Sequence, residues 1–185
     1  MPKLVVIRGN SGSGKSSIAR AVRLNHGRGC ALVEQDYLRR IILRELEASG
    51  GLTPEFIDHT VRYLLDRGQH VVLEGILGTQ HYGAMLIDLV RENHGETSVF
   101  YLDVSFEETL RRHGSRPQAT EFGAQEMLAW YRERDLLGVG GEHVIGEHST
   151  LDASIEFVTV RSGLCGSLLD GVDQHDDQRG DRAKQ

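Results

Sequence analysis

The sequence predicts a three-layer α/β/α fold in which a five-stranded parallel sheet is covered by helices on both faces. Short apolar runs alternate with segments of helical periodicity over most of residues 3–155, which is the pattern of successive β–α–β units. A glycine-rich stretch follows the first apolar run and leads directly into a helical segment. The length of 185 residues is that of one domain with a single well-buried core.

The first four elements are predicted from the amino-terminal quarter of the chain. Residues 4–7 are consecutively apolar and predict a buried strand, and residues 15–24 have the apolar spacing of a helix. The short apolar run at residues 31–33 predicts the second strand. Residues 37–48 predict a second helix, which begins directly after Asp36.

The middle of the chain continues the alternation. A helix is predicted between Thr53, a residue type suited to an N-cap, and Gly68, a residue type that commonly ends helices. Residues 70–73 predict the third strand, which is closed by Glu74. Residues 82–93 have the periodicity of a further helix.

The last third of the chain contains two more strands and an acidic tail. The predicted elements are a strand at residues 98–104, a helix at 105–112, a helix at 123–134, a strand at 142–145 and a final helix from residue 149. Ser105 with Glu108, and Ser149 with Asp152, match the capping pattern that begins helices. Residues 170–185 are polar and rich in aspartate, which predicts a disordered tail after a domain of residues 1–169.

Residues 9–16 read Gly-Asn-Ser-Gly-Ser-Gly-Lys-Ser, which matches the P-loop motif G-x-x-x-x-G-K-[ST]. The motif lies between a predicted strand and a predicted helix, as a P-loop requires. Its glycines let backbone N–H groups converge on phosphate, Lys15 can reach the β- and γ-phosphates, and the Ser16 hydroxyl can bind Mg²⁺. The predicted nucleotide-binding residues are Gly9, Asn10, Ser11, Gly12, Ser13, Gly14, Lys15, Ser16 and Ser17. The motif therefore predicts binding of a nucleoside triphosphate, with Lys15 as a catalytic residue.

Two acidic residues follow buried strands, where the chemistry of open parallel sheets collects. Asp36 is a candidate general base for phosphoryl transfer to an alcohol, and Arg39 lies on the same helical face as a candidate clamp on the substrate. The alternative for this pair is a helix cap with a surface arginine. Glu74 is a candidate Mg²⁺ ligand and substrate contact, and its alternative is a satisfied buried carboxylate.

A second group of basic residues predicts a lid over the nucleotide. Arg112 and Arg116 border a polar stretch, and the segment 112–123 has little apolar content to fix it to the core. Guanidinium groups on such a lid can cover the triphosphate and stabilise charge during transfer, so Arg112 and Arg116 are candidate nucleotide-binding residues and Arg116 a catalytic one. The alternative is a basic helix end that complements the helix dipole. Arg132 and Arg134, beyond the lid, are interpreted as part of a salt-bridged surface.

Composition excludes some classes of function. The formal net charge of −6 disfavours broad nucleic-acid binding. The sequence contains no apolar run near 18 residues and no signal-peptide pattern, so we expect a cytoplasmic protein without a membrane partner. Its two cysteines lie far apart and outside any metal-type spacing, which favours reduced structural thiols.

These motifs together resemble the P-loop small-molecule kinases, the group that contains chloramphenicol phosphotransferase, gluconate and shikimate kinases, zeta toxins and polynucleotide kinase. The resemblance covers most of residues 3–155 and implies a P-loop NTPase fold with a small lid, ATP as donor, and Mg²⁺ at Ser16. It also implies a base at Asp36, a lid arginine at Arg116, and an adenine site near residues 147–151. Glu74 departs from the usual aspartate of the group.

The resemblance leads to one favoured function and two alternatives. The favoured function is transfer of the γ-phosphate of ATP to a hydroxyl of a small metabolite or antibiotic, with Mg²⁺. A nucleotide or polynucleotide-end kinase is one alternative, although the acidic charge makes nucleic acid an unfavourable partner. A regulatory NTP-binding protein is the other, although the sequence lacks the N-K-x-D and D-x-x-G patterns of guanine-nucleotide switches. The sequence predicts neither the acceptor nor the oligomeric state.

Overall fold

The computed structural model describes residues 1–46, 50–114 and 123–166. Among these residues, five strands form one sheet: β1 (Leu4–Gly9), β2 (Cys30–Glu34), β3 (His70–Gly75), β4 (Thr97–Asp103) and β5 (His143–Gly146). The described part of the chain also contains six α-helices that flank the sheet: α1 (Lys15–His26), α2 (Thr53–Asp66), α3 (Thr79–Glu92), α4 (Phe106–His113), α5 (Ala124–Trp130) and α6 (Leu151–Ser162). A π-helix (Tyr37–Ile42) follows β2.

All five strands are parallel and lie in the order β2-β3-β1-β4-β5. The predicted five-stranded parallel sheet with flanking helices is therefore confirmed. Strand β1 occupies the centre, where Val6 pairs with Leu73 on β3 and with Val99 on β4. The carboxyl end of β3, which contains Glu74, therefore lies between the end of β1, where the P-loop begins, and the end of β2, which precedes Asp36.

The two faces of the sheet pack against different helices because successive strand residues point to opposite sides. On one face, Val6 belongs to a buried cluster with Ile57 of α2 and Leu86 of α3. On the other face, Ile7 lies in a second cluster with Val158 of α6, together with residues of α1. These two clusters are the hydrophobic cores of the three layers, and they hold β1 rigidly beneath the P-loop.

The predicted helix at residues 37–48 is wrong in type and length. The structure has a π-helix that ends at Ile42, and the Leu43 N–H donates to the Leu38 carbonyl at 2.9 Å. Arg44 then adopts a left-handed backbone with φ of 52°. Its neighbour Glu45 folds back and accepts hydrogen bonds from the amide of Leu52, at 2.7 Å, and from Thr53. Glu45 thus accepts hydrogen bonds at the start of α2, and this position is incompatible with a helix that continues through residue 45.

Helix ends also differ from the sequence prediction. The N-cap of α2 is Leu52, and the cap of α6 is Thr150, whose hydroxyl accepts a bond from the Ala153 amide. Ser105 caps α4 as predicted, accepting from the Glu108 amide. The predicted helix at 123–134 ends at Trp130, because Tyr131 adopts an extended backbone and the Arg132 main chain pairs with the P-loop.

The amino end of β1 lies beside the carboxyl end of α6. The Lys3 ammonium donates to the carbonyls of Ser162 and Gly163 at 3.1 and 3.3 Å.

Cys30 is buried at the start of β2, where burial raises the pKa of its thiol to about 11, whereas Cys165 is exposed just beyond α6. Among the described residues, none of the helices combines the length and apolarity needed to cross a bilayer. The predicted tail at 170–185 lies outside the described residues.

Candidate active site

The P-loop wraps around the amino end of α1, which begins at Lys15. Gly12 and Gly14 have φ of 83° and 103°, a left-handed backbone that side chains disfavour. Gly12 has a second constraint, since a Cβ there would lie 2.6 Å from the Thr109 carbonyl oxygen of α4. Lys15 Nζ lies 3.4 Å from the Asn10 carbonyl oxygen, across the mouth of the loop. This geometry forms an anion-binding concavity at a helix N-terminus.

Ser16 and Glu74 meet directly beneath this loop. The Ser16 hydroxyl lies 3.2 Å from each carboxylate oxygen of Glu74, whose residue is only 4% exposed. Burial raises the pKa of Glu74, the Lys15 ammonium opposes that rise, and the charges of Glu34 and Asp36 reinforce it. The structure therefore brings together the two residues predicted as the Mg²⁺ site, beside the P-loop lysine. Their oxygen donors are the ligand type that Mg²⁺ prefers.

Asp36 and Arg39 lie at the end of the adjacent strand β2. The Arg39 guanidinium donates to the Asp36 carboxylate at 3.0 Å, one turn apart on the π-helix. The Asp36 side chain is 59% exposed, whereas that of Arg39 is 17% exposed. Within the described part of the chain, the buried Arg39 Nε has no hydrogen-bond partner. An exposed carboxylate beside an oriented guanidinium can accept a proton from a polar ligand that approaches from solvent.

Arg112 connects two walls of the site by hydrogen bonds. Its guanidinium donates to the Ser13 carbonyl of the P-loop and to the Glu147 carbonyl after β5, both at 2.8 Å, and to Glu108 at 2.7 Å. The Glu147 carboxylate in turn accepts from the Ser105 amide at 2.9 Å. Arg112 thus ties the P-loop to the segment after β5. The other predicted lid arginine, Arg116, lies outside the described residues, as does most of the predicted lid.

A cavity of about 400 Å³ extends from the P-loop along this segment. Its lining includes Gly14 and Ser17 at the start of α1, Arg112, and Ser149, Thr150 and Leu151 at the start of α6. The resemblance implies an adenine site at residues 147–151, and the cavity joins those residues to the phosphate-binding loop. Apolar walls with a few polar groups are typical of small-molecule sites.

Arg8 is a residue of this region that the sequence analysis missed. It lies in β1 directly before the P-loop and is 0% exposed. Its guanidinium donates twice to the Leu77 carbonyl, at 3.0 and 3.2 Å, and once each to Asp135 at 3.0 Å and Glu142 at 3.2 Å. A single arginine thereby joins two loops at the carboxyl edge of the sheet, the one between β3 and α3 and the one between α5 and β5. A charged residue in an otherwise apolar strand indicates that Arg8 has buried polar partners, but the sequence does not show which residues they are.

The turn after Glu74 is held from two sides. The Leu77 amide donates to Gln35 Oε1 at 2.9 Å, while its carbonyl accepts from Arg8. Leu77 is fully buried with φ of 46°, an unfavourable backbone that persists only where its surroundings fix it. A Cβ at Gly75 would overlap the Gln35 side chain. These contacts set the course of the chain immediately after the Glu74 carboxylate.

Asn10, predicted to bind nucleotide, directs its side chain elsewhere. Its amide group donates to the Arg132 carbonyl at 2.7 Å, and its carbonyl oxygen accepts from the Arg132 amide at 2.9 Å. The Tyr101 hydroxyl accepts from the Asp135 amide at 3.1 Å and lies 3.4 Å from the Arg132 carbonyl. The segment after α5 is therefore attached to the P-loop and to β4.

Solved structures with the same fold include several kinases. A sugar kinase from Janibacter sp. HTCC2649 aligns with a TM-score of 0.66 and 18% identity over 90% of this chain and 100% of its own. The Mycobacterium tuberculosis APS kinase CysC, solved with AMPPNP and APS, gives 0.67 and 19% over 86% and 96%. A gluconokinase from Sinorhizobium meliloti 1021 gives 0.58 and 17% over 88% and 94%. The predicted resemblance to P-loop kinases is thus confirmed at the level of the fold.

Comparison of the sequence with curated proteins gives no match. A family model described as AAA domain (AAA_33) matches residues 4–134, from the first residue of β1 through the segment that pairs with Asn10. This match covers more than two thirds of the chain. The chain therefore belongs to the AAA domain family AAA_33.

Proposed function

We propose that this protein is an ATP-dependent kinase that transfers the γ-phosphate to a hydroxyl of a small molecule. The observation that carries the proposal is the pairing of Ser16 with Glu74 beneath the P-loop, with a second, exposed carboxylate at the next strand end. Phosphoryl transfer to an alcohol requires these parts: a phosphate cradle, a metal site and a proton acceptor. Asp36 is that proton acceptor.

ATP would occupy the P-loop and the cavity that continues from it. The backbone amides of the loop and the Lys15 ammonium face the β- and γ-phosphates, and the base lies toward the start of α6. Ser16 and Glu74 would hold Mg²⁺, and their oxygen donors suit this ion. Mg²⁺ held there would offset the negative charge of the phosphates.

The acceptor would approach Asp36 from solvent. Its hydroxyl oxygen forms a bond to the γ-phosphorus and gives its proton to Asp36, while the bond to the β–γ bridging oxygen breaks and ADP leaves. Arg39 orients the Asp36 carboxylate through the bond between them. Arg116 is proposed as a lid arginine that covers the phosphates.

The structural neighbours support a small acceptor. They are named as kinases of a sugar, of gluconate and of APS, and the alignments span nearly their whole length. These names favour a phosphotransferase over an NTP-binding regulator. The net charge of −6 also makes a nucleic-acid end an unfavourable acceptor.

The test is ATP turnover with and without a panel of sugars, sugar acids, nucleosides, nucleic-acid ends and antibiotics that carry free hydroxyls. The expected result is ADP release that depends on one class of small acceptor, with the phosphorylated acceptor detected by mass spectrometry. Lys15→Ala is the control and should lose turnover by about 10²–10³-fold, as removal of a preorganised charge does in other enzymes. ATP hydrolysis that no acceptor stimulates would instead support a regulatory NTPase.

A further inference from the structure

We propose that Arg132 is a catalytic arginine that contacts the transferred phosphate, and that Asn10 is the positioning residue that holds it there. The inference rests on the nucleotide site of the proposed function and adds a residue that the sequence analysis assigned to a salt-bridged surface. It is carried by the reciprocal hydrogen bonds between the Asn10 side chain and the Arg132 main chain, at 2.7 and 2.9 Å.

Asn10 marks the end of the P-loop at which phosphate is transferred. The P-loop lysine reaches the β- and γ-phosphates, and Lys15 Nζ lies 3.4 Å from the Asn10 carbonyl oxygen. The main chain that is bonded to the Asn10 side chain therefore lies against the P-loop, at the residue whose main-chain carbonyl is near Lys15 Nζ. That main chain belongs to Arg132, which is separated from Asn10 by 122 positions in sequence.

The segment that carries Arg132 is fixed at both of its ends. Asn10 is 4% exposed, so its two bonds to Arg132 are shielded from water. Three residues further along, Asp135 accepts from Arg8 at 3.0 Å and from the Thr79 amide at 2.9 Å. Catalytic groups on backbone held in this way need little reorganisation when the reaction occurs.

The Arg132 guanidinium itself is exposed and bonded only weakly. Its Nη1 donates to the Ala129 and Tyr131 carbonyls at 3.0 and 2.9 Å, at the carboxyl end of α5. These acceptors are neutral and face solvent, whereas phosphate oxygens give charge-assisted, bidentate bonds to arginine. Exchange of the carbonyls for phosphate is therefore favourable. Arg112, by contrast, already bonds the main chain on both walls of the site.

The test compares nucleotide states rather than turnover alone. Dissociation constants for Mg²⁺–ADP, and for Mg²⁺–ADP with aluminium fluoride as a mimic of the transferred phosphoryl group, are measured by calorimetry for each variant. Arg132→Ala should weaken the aluminium fluoride complex by about 10²-fold and leave ADP binding unchanged, because the contact exists only with the outer phosphate. Arg132→Lys should restore part of the loss. Glu133→Ala is the matched control on the same segment and should behave as the wild type.

The positioning role is tested by a double-mutant cycle. Asn10→Ala should also weaken the aluminium fluoride complex, but it should add little in the Arg132→Ala background because both changes remove one contact. Additive effects would overturn the positioning role, and equal binding of the aluminium fluoride complex by Arg132→Ala and the wild type would overturn the proposal. Equal affinity of the wild type for Mg²⁺–ADP with and without aluminium fluoride would also contradict the proposal. Absence of transfer to any acceptor contradicts the proposed kinase function but leaves this binding readout intact.

Discussion

Two carboxylates near the P-loop lie in opposite environments. Glu74 is buried beside Ser16, and burial raises its pKa, whereas the side chain of Asp36 is 59% exposed and ion-paired with Arg39. Pairs of carboxylates whose surroundings differ in this way commonly divide their roles in a mechanism. At the scale of single residues, this difference supports the proposed roles, metal binding for Glu74 and proton transfer for Asp36.

The proton-transfer role predicts the effect of an isosteric change. Asp36→Asn should lower kcat by about 10²–10⁴-fold with little change in ATP affinity, because the amide cannot accept the hydroxyl proton. Steady-state kinetics with the identified acceptor measure both quantities. Tyr37→Phe, at the next exposed position, is the control and should retain kcat. If Asp36→Asn mainly raised the Mg²⁺ requirement, the roles of Asp36 and Glu74 would be exchanged.

The metal role makes a separate prediction for Glu74. Glu74→Gln should raise the Mg²⁺ concentration needed for half-maximal turnover, while thermal stability without metal is maintained or increased because a buried charge is removed. Turnover of the wild type should also require more Mg²⁺ as pH falls. The raised pKa means that Glu74 takes up a proton at a higher pH than an ordinary carboxyl, and the protonated form does not bind the ion. A Mg²⁺ requirement equal in variant and wild type would refute the metal role.

A histidine far from the site predicts how stability depends on pH. The Lys3 amide donates to His70 Nδ1 at 3.0 Å, a bond that needs neutral imidazole. Burial lowers the pKa of His70, as do the charges of His26, Lys3 and the amino terminus. Below about pH 6.5 the unfolded chain binds a proton that the folded chain resists, so this contribution is complete above that pH and is lost as the pH falls.

Urea unfolding between pH 5 and 8 measures this effect. The free energy of unfolding of the wild type should decline on the acidic side of pH 6.5, and His70→Gln should remove part of the slope. His148→Gln, at a residue that is almost fully exposed, serves as the control and should keep the slope of the wild type. Identical slopes in wild type and His70→Gln would contradict the assignment.

At the scale of elements, contacts between residues that are close in sequence could be predicted, and contacts between residues far apart in sequence could not. The five strands follow from apolar runs, and the P-loop from residues that are contiguous in the chain. The π-helix after β2 could not be predicted, because Glu45 bonds the start of α2 instead of continuing a helix. Likewise, nothing adjacent to Asn10 or Arg8 indicates that their partners lie 122 and 127 positions away.

The contacts of Arg8 predict that it stabilises the loops at the carboxyl edge of the sheet. Arg8→Met should destabilise the fold by about 3–5 kcal/mol, since it leaves Asp135 and Glu142 without their buried counter-charge. Chemical denaturation measures the difference. Arg20→Ala is the control, because its ion pair with Glu34 is largely exposed and removal should cost about 0–1 kcal/mol. Comparable losses in the two variants would show that the Arg8 contacts contribute little.

At the scale of the whole molecule, strand order assembles the site. Because β1 lies between β3 and β4, the P-loop has the Glu74 turn on one side and the Tyr101 hydroxyl on the other. Residues from both halves of the chain therefore meet at one edge, and a ligand bound there contacts several segments at once. Such a ligand stabilises the folded state according to its affinity.

Nucleotide binding should therefore be visible as a shift in Tm. A non-hydrolysable ATP analogue with Mg²⁺, at about 100 times its Kd, should stabilise the wild type by about 2.7 kcal/mol. Lys15→Ala should unfold at the same temperature as the wild type without ligand and should lose most of the shift. Arg91→Ala, which removes an exposed pair with Asp88, should retain it. A full shift in Lys15→Ala would argue against phosphate binding at the P-loop.

The contrast between the two cysteines makes a site-specific fluorescent label possible without mutagenesis. Thiols react as thiolates, so Cys30, with a pKa of about 11, should stay unmodified at pH 7 while the exposed Cys165 reacts with a maleimide. Mass spectrometry should then show one adduct per chain. Helix α6 begins at the nucleotide cavity with Leu151 and ends just before Cys165. A dye at Cys165 would therefore lie at the opposite edge of the sheet, where it can report ligand binding through energy transfer without obstructing the cavity.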